Sequence, residues 1–112
     1  MSFAHIGLTK AAGNAVYATI YTVPATSTAI LGLITAYNTT GGALTTTIAV
    51  TRQDGTTFDL AAKSVGATAP YSWTSASDNQ TLVPLTLLPG EILKAKAAGA
   101  GVNVTISGIR FF

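Results

Sequence analysis

The stretch Leu87-Leu88-Pro89-Gly90-Glu91-Ile92-Leu93-Lys94-Ala95-Lys96-Ala97-Ala98-Gly99-Ala100-Gly101-Val102-Asn103-Val104-Thr105-Ile106-Ser107-Gly108-Ile109-Arg110-Phe111-Phe112 decides the fold. It reads as a strand end, a Pro-Gly turn, a strand, a glycine-rich turn and a last strand. Side chains alternate between the two faces of a strand, so Val102, Val104 and Ile106 share one face. Gly108 and Ile109 interrupt that period, as a bulge or a twist does. A phosphate-binding loop would need a helix after Gly99-Ala100-Gly101. A strand follows instead, and the spacing predicts a hairpin turn.

Upstream, Val16 to Val23 is strand-like, with Val16, Ala18 and Ile20 on one face and Tyr17, Thr19 and Tyr21 on the other. Pro24 ends it, because proline has no N–H for the ladder. Ala29 to Asn38 is apolar on both faces, with Leu31, Leu33, Thr35 and Tyr37 opposite Ile30, Gly32, Ile34 and Ala36, which predicts a central strand. Asn38 to Gly42 supplies residues tolerant of positive φ, as a hairpin or short loop requires. Leu44 to Arg52 alternates most cleanly: Leu44, Ile48 and Val50 point inward, and Thr45, Thr47 and Thr51 outward. Gln53-Asp54-Gly55 turns the chain into Thr57 to Ala61, with Phe58 and Leu60 facing in. Thr81 to Leu88 is a strand that Pro84 demotes to an edge or bulge. No segment has helical periodicity. About seven to eight short strands with regular turn signals predict an all-β fold, an antiparallel β-sandwich of immunoglobulin-like or jelly-roll-like type. Residues 1–14 carry no clear period and are expected to form an N-terminal arm, loose or laid on a neighbour, with residues 15–112 as a single sandwich domain. Ala62 to Gln80 is the longest expected loop, with a short strand at Tyr71 to Thr74. Long loops on a rigid sandwich are where binding tends to reside.

Composition narrows the function. The chain has 112 residues, the length of one domain. Charged residues are 9% of it, against roughly 25% in ordinary soluble domains. Either uncharged Thr, Ser and Asn cover the outer faces, or neighbours cover them. A net charge of +2 spread over few basic residues is not the clustered footprint of a nucleic-acid binder. With no cysteine and one histidine, His5, a transition-metal site and a thiol nucleophile find no ligands, and no cofactor is expected. The start of the chain lacks the pattern of a signal peptide, and Ala29 to Ala36 is too short to span a bilayer, so no membrane partner is expected and assembly in the cytoplasm of the producing cell is. Asn-x-Thr triplets at Asn38, Asn79 and Asn103 read as chance matches in a threonine-rich chain.

The candidate chemistry is sparse. Among the carboxylates, Asp54 and Glu91 fall at turns, Asp59 lies on an outward face, and Asp78 sits in the long loop. Paired hydrolytic carboxylates would have to stand roughly 5–9.5 Å apart in a cleft. A Ser-His-Asp triad would have to use His5. No enzyme is therefore expected. The candidate partner contacts are Phe3 and His5 in the arm, Tyr71 and Trp73 in the loop, and a basic group of Lys94, Lys96 and Arg110. Tyr71 and Trp73 would stack on a sugar ring or on a partner's apolar surface, or else plug the open end of the sandwich. Lys94 and Lys96 share a strand face, with Arg110 on the strand expected to pair with it. That group is either a stripe for an acidic neighbour or a solvated face.

The segment Tyr21-Thr22-Val23-Pro24-Ala25 into Ala29-Ile30-Leu31, then Tyr37-Asn38-Thr39-Thr40, resembles small virion proteins of tailed bacteriophages. So does the closing part, Leu88-Pro89-Gly90-Glu91 into Ala97 and Val102 to Ile109. The resemblance covers most of the chain from Tyr17 onward and consists of turns and strands. It implies a non-enzymatic virion protein, foremost a capsid decoration (cement) protein that stabilises the head lattice as a homo-oligomer, a trimer favoured. Its partners would be further copies and the major capsid protein or other virion proteins. A tail, neck or baseplate subunit, or a carbohydrate-binding host-recognition sandwich with a glycan partner, are the alternatives. The resemblance assigns no individual functional residue.

Overall fold

The computed structural model describes residues 2–73 and 82–112. Among these residues the chain forms ten strands: β1 (Phe3–Ala11), β2 (Gly13–Asn14), β3 (Ala18–Thr22), β4 (Thr28–Asn38), β5 (Leu44–Thr51), β6 (Thr57–Val65), β7 (Ala69–Trp73), β8 (Leu85–Leu87), β9 (Ile92–Ala97) and β10 (Val102–Phe111). One sheet has the order β1-β10-β4-β7, with β8 also on β4; the other has the order β2-β9-β5-β6, with β3 also on β9. Every pairing is antiparallel except the two-residue β2–β9 contact. This is the expected antiparallel sandwich, with more strands than the sequence signalled. Its inner faces meet through Ile20, Leu31, Ile34, Ile48, Val50, Trp73, Leu87, Leu93, Val104 and Ile106, all fully buried.

Several expectations are corrected. The first is the arm: residues 3–11 are not loose but pair with β10 along the whole length of β1. β1 is an edge strand that buries only Ile6, so it shows no apolar period to read. The second concerns the turns around β9. Gly90 (φ 80°) and Gly101 (φ 109°) do turn the chain in the left-handed region. Neither joins a hairpin, because β8 and β10 lie in one sheet and β9 in the other. A positive-φ glycine sets a chain reversal; whether the flanking strands pair or change sheets depends on which faces find a core. The Asn38 to Gly42 link between β4 and β5 crosses between sheets in the same way.

Val16, expected on the core face, is 64% exposed and follows Ala15 at φ 60°. Phe58 pairs with Val50 but stays 50% exposed, because β6 is the outermost strand of its sheet. The expected loop from Ala62 is strand up to Val65 and again from Ala69 to Trp73, with residues 66–68 turning between them; residues 74–80, which include Asp78 and Asn79, and Thr81 lie outside the described residues.

Two buried polar groups fasten the crossovers. Asn38 is fully buried and donates from Nδ2 to the carbonyls of Gly42 (2.8 Å) and Val65 (3.0 Å). Its Oδ1 accepts from the backbone N–H (2.9 Å) and hydroxyl (2.7 Å) of Thr40. Glu91 is 1% exposed and accepts from Arg52 Nη1 (2.9 Å) and from the Leu88 N–H (2.8 Å), tying the turn after β5 to the turn before β9. In the turn before β6, the Thr56 N–H donates to Asp54 Oδ1 (2.9 Å) and holds that carboxyl below its ordinary value.

β4 changes phase along its length. Ala29 and Leu31 point inward, as do Ile34, Ala36 and Asn38. Between the two runs the β4–β10 register steps from Ser107↔Leu33 to Gly108↔Leu31, leaving Gly32 as the extra residue of a bulge. The irregularity read at Gly108 is therefore real, and the inserted residue lies on the neighbouring strand.

Candidate functional site

The expected basic group does not form. Lys94 and Lys96 lie half-buried on the outer face of β9, whereas Arg110 lies on β10 in the opposite sheet. Across that β9 face lies Tyr17, whose ring centroid is 4.5 Å from Lys96 Nζ and whose hydroxyl donates to the Asp59 carboxylate. Lys96 is thus engaged with its own chain. The Arg110 guanidinium stands 4.8 Å from the centre of the Phe112 ring.

Trp73 is fully buried, so it is a core residue and cannot serve as a stacking platform for a sugar. On β7, Tyr71 and Trp73 share the inward face, opposite Ala36 and Ile34 of β4. The Tyr71 ring meets Trp73 edge-on at 5.1 Å, and Lys63 Nζ lies 5.2 Å from the centre of the Tyr71 ring. Of the aromatic pair, only Tyr71 reaches the surface.

Phe3 and His5 have a different setting. On β1 they stand opposite Phe111 and Ile109 of β10, and Ile109 stands opposite Ile30 of β4. Side chains directly opposite across a ladder share a face, so these residues form one apolar area on the outside of the sheet. Between them is a depression of about 250 Å³ lined by Ile30, Gly32, Gly108, Ile109 and Phe111. Phe3 is 63% exposed, Ile30 37% and Leu33 39%.

Toward the other end the same face carries hydroxyls. Thr9 and Thr105 share a hydrogen bond of 2.7 Å, and Thr35 and Ser72 one of 2.8 Å, beside the exposed Tyr37. Following the pairing outward from Phe3, His5, Gly7 and Thr9 across β10, β4, β7 and β8, the face positions hold no Asp, Glu, Lys or Arg among the described residues. His5 is its one histidine. Contiguous exposed apolar area of this kind marks interaction sites more often than solvated surface.

Ile30, Leu33, Ile109 and Phe111 were not singled out from the sequence, because the strict alternation read for β4 placed Ile30 opposite Leu33. The signal was present in the glycines: Gly32 breaks the period of β4, and Gly108 on the adjacent strand leaves room for the β4 backbone to come close. Among the described residues, no group of three or more His, Cys, Asp and Glu stands together to hold a metal. Asp54, Asp59 and Glu91 are each engaged in the separate contacts given above.

No family model matches this chain, and no curated protein matches it in sequence. Its fold is similar to solved structures. One is from work on Bacillus endospore appendages, which form a family of disulfide-linked pili; it aligns at a TM-score of 0.55 and 15% identity, over 98% of this chain and 86% of the other. Another is the Drosophila NLP core, described for pentamer formation and histone binding, at a TM-score of 0.56 and 13% identity over 100% of both chains. At these identities the likeness establishes a shared β-sandwich fold and nothing more. The pili are disulfide-linked, and this chain has no cysteine with which to form such a link.

Proposed function

We propose that the protein is a non-enzymatic structural component of a bacteriophage virion: a capsid decoration protein that binds and stabilises the head lattice as a homo-oligomer, with a trimer favoured. The observation that carries this reading is the outer face of the β1-β10-β4 sheet, which presents apolar side chains and hydroxyls and no ionised group among the described residues. Such a face is costly to leave in water and well suited to a partner surface that is itself apolar and uncharged. The resemblance of Tyr21 to Thr40 and of Leu88 to Ile109 to small phage virion proteins supplies the partner, a subunit of the shell. Two sandwiches of similar fold are described as parts of assemblies, a pilus and a pentamer, and we propose an assembling role for this one.

The test is co-sedimentation of the purified protein with emptied phage shells and with tails, followed by electron microscopy. Binding at regular positions on the head supports the decoration reading. Binding confined to tails moves the protein to a neck, tail or baseplate position. No binding to either sinks the virion reading. Ile30→Asp and Ile109→Asp, on the exposed face, are expected to weaken shell binding at least about tenfold while leaving the folded protein intact by circular dichroism. Unchanged binding of both variants would remove this face as the contact.

A further inference from the structure

We propose that β1 is an assembly edge: the first strand pairs in antiparallel fashion with β1 of a second copy, joining the two β1-β10-β4 sheets into one. The proposal deepens the assembling role given above by naming the strand through which copies meet.

The ladder shows which groups are free. Ser2 and Phe112 exchange both backbone hydrogen bonds (2.8 and 2.9 Å), and the Ala12 N–H donates to the Val102 carbonyl at 2.9 Å. Register between β1 and β10 is unbroken from Phe3↔Phe111 to Ala11↔Asn103. Hydrogen-bonded and non-bonded pairs alternate in an antiparallel ladder. Even-numbered residues of β1 therefore bond to β10, and the N–H and C=O groups of Phe3, His5, Gly7, Thr9 and Ala11 point away from it. β1 is the last strand of its sheet, so this row meets no strand among the described residues.

Edges that remain solvated in native proteins are protected by bulges, prolines, charges or shortness. The other edges of this sandwich follow that rule. β6 has a register break at Leu60 and carries Asp59 and Lys63. β7 has five residues and includes Pro70, and β8 has three residues. β3 has five residues and a register break between Thr19 and Tyr21. β1 has nine residues, no break, no proline and one lysine, Lys10.

A second copy fits this edge. Pairing centred on Gly7 sets Gly7 against Gly7 of the partner subunit, His5 against Thr9 of the partner subunit and Phe3 against Ala11 of the partner subunit. All are odd-numbered positions, so every outward N–H and C=O of the row is bonded. Lys10 falls opposite Ala4 of the partner subunit, and no like charges oppose each other. On the inner side, the partly buried Leu8 is covered by Ile6 of the partner subunit, extending the core under the seam. The contact is isologous, so it adds a two-fold link to any ring built through other faces.

Gly7 gives the test its specificity, because a Cβ there meets nothing within 4 Å and the fold accommodates a side chain. Sedimentation velocity over a concentration series reads the assembly of the full chain, of Gly7→Lys and of Gly7→Glu, with circular dichroism confirming the fold. Each variant opposes like charges across the two-fold axis and is expected to dissociate about tenfold more readily. An equimolar mixture opposes unlike charges and is expected to regain pairing. A full chain that sediments as a monomer throughout, variants that assemble like the parent, or a mixture that fails to recover would each overturn the proposal. Shell binding by a monomeric chain would overturn β1 pairing while leaving the virion reading standing; β1 pairing without shell binding would do the reverse.

Discussion

Alanine at two neighbouring glycines should give opposite outcomes. Gly108 on β10 lies where the chain of β4 comes closest: a Cβ built there would stand 2.2 Å from the Ile30 carbonyl oxygen and 2.8 Å from the Leu31 Cα. Both are backbone atoms of a paired strand, so neither can swing aside as a side-chain tip would. Relieving the overlap requires β4 and β10 to separate at the bulge, which strains the ladder and loosens Leu31 and Ile106 in the core. Overpacking of this kind costs about 1–3 kcal/mol. At about 4 °C per kcal/mol for a domain near this size, Tm should fall by about 4–12 °C. Gly32, the extra residue of the bulge, faces open space, with nothing within 4 Å of a Cβ. Its φ lies outside the left-handed region, so Gly32→Ala should be neutral or stabilising by up to about 1 kcal/mol through the unfolded chain. The assay is urea and thermal unfolding of both variants beside the parent, with m-values compared to confirm that the unfolding reaction is the same. Equal effects at the two positions, or a Gly108→Ala protein as stable as the parent, would refute the close approach at the bulge.

Three further outcomes follow from the buried groups. Asn38→Ala leaves the Val65 carbonyl without its buried donor and also unbonds Gly42 and Thr40; at about 1–3 kcal/mol for a stranded buried group, the total loss should be about 3 kcal/mol by urea unfolding. Trp73→Ala should cost about 3–5 kcal/mol, and the milder Trp73→Phe clearly less; a Trp73→Ala protein with parental stability would mean that the ring is not in the core. Glu91→Gln removes the charge facing Arg52, and because Arg52 is 37% exposed the cost should stay near 1–2 kcal/mol, below the roughly 3–5 kcal/mol of a fully buried pair. The urea midpoint should become less sensitive to salt in this variant.

Local signals in the chain reported local structure. The threonine alternation of Leu44 to Arg52 gave β5, although Thr47 and Ala49 on its outer side are buried as well, and the valines and isoleucine at 102, 104 and 106 gave the inward face of β10, because an antiparallel strand packed on one side writes its period into its residues. Strand partners were not legible. The step from β9 to β10 reads as a hairpin because Gly101 supplies the turn, yet the partners of each strand are chosen by side chains far along the chain. That is why Arg110 was expected beside Lys94 and lies in the other sheet. β1 was missed because an edge strand buries one residue in nine, too few to make a period. The candidate face was missed for a related reason. Its apolar members lie on both sides of Gly32, and a period carried through a bulge assigns half of them to the wrong side.

The distribution of charge separates the two outer faces in a way that composition alone conceals. The β9-β5 face has Lys94 and Lys96 on β9 and Asp59 on β6, with Tyr17 bridging Lys96 and Asp59, and its edges are short or broken. Those are the features of a surface that stays in water. The β1-β10-β4 face has no ionised side chain among its described positions, carries an apolar depression, and ends in an edge nine residues long with no break. Solvent acts on both faces alike, so it does not account for the difference; the proposed contact on one side would. The bulge is the structural step that makes this face apolar, since shifting the phase of β4 at Gly32 brings Ile30 out beside Ile109 while Leu31 and Ile34 both stay in the core. Three of the ten charged residues, Lys94, Lys96 and Asp59, stand on the β9-β5-β6 outer face, and among the described positions of the β1-β10-β4 outer face there is none.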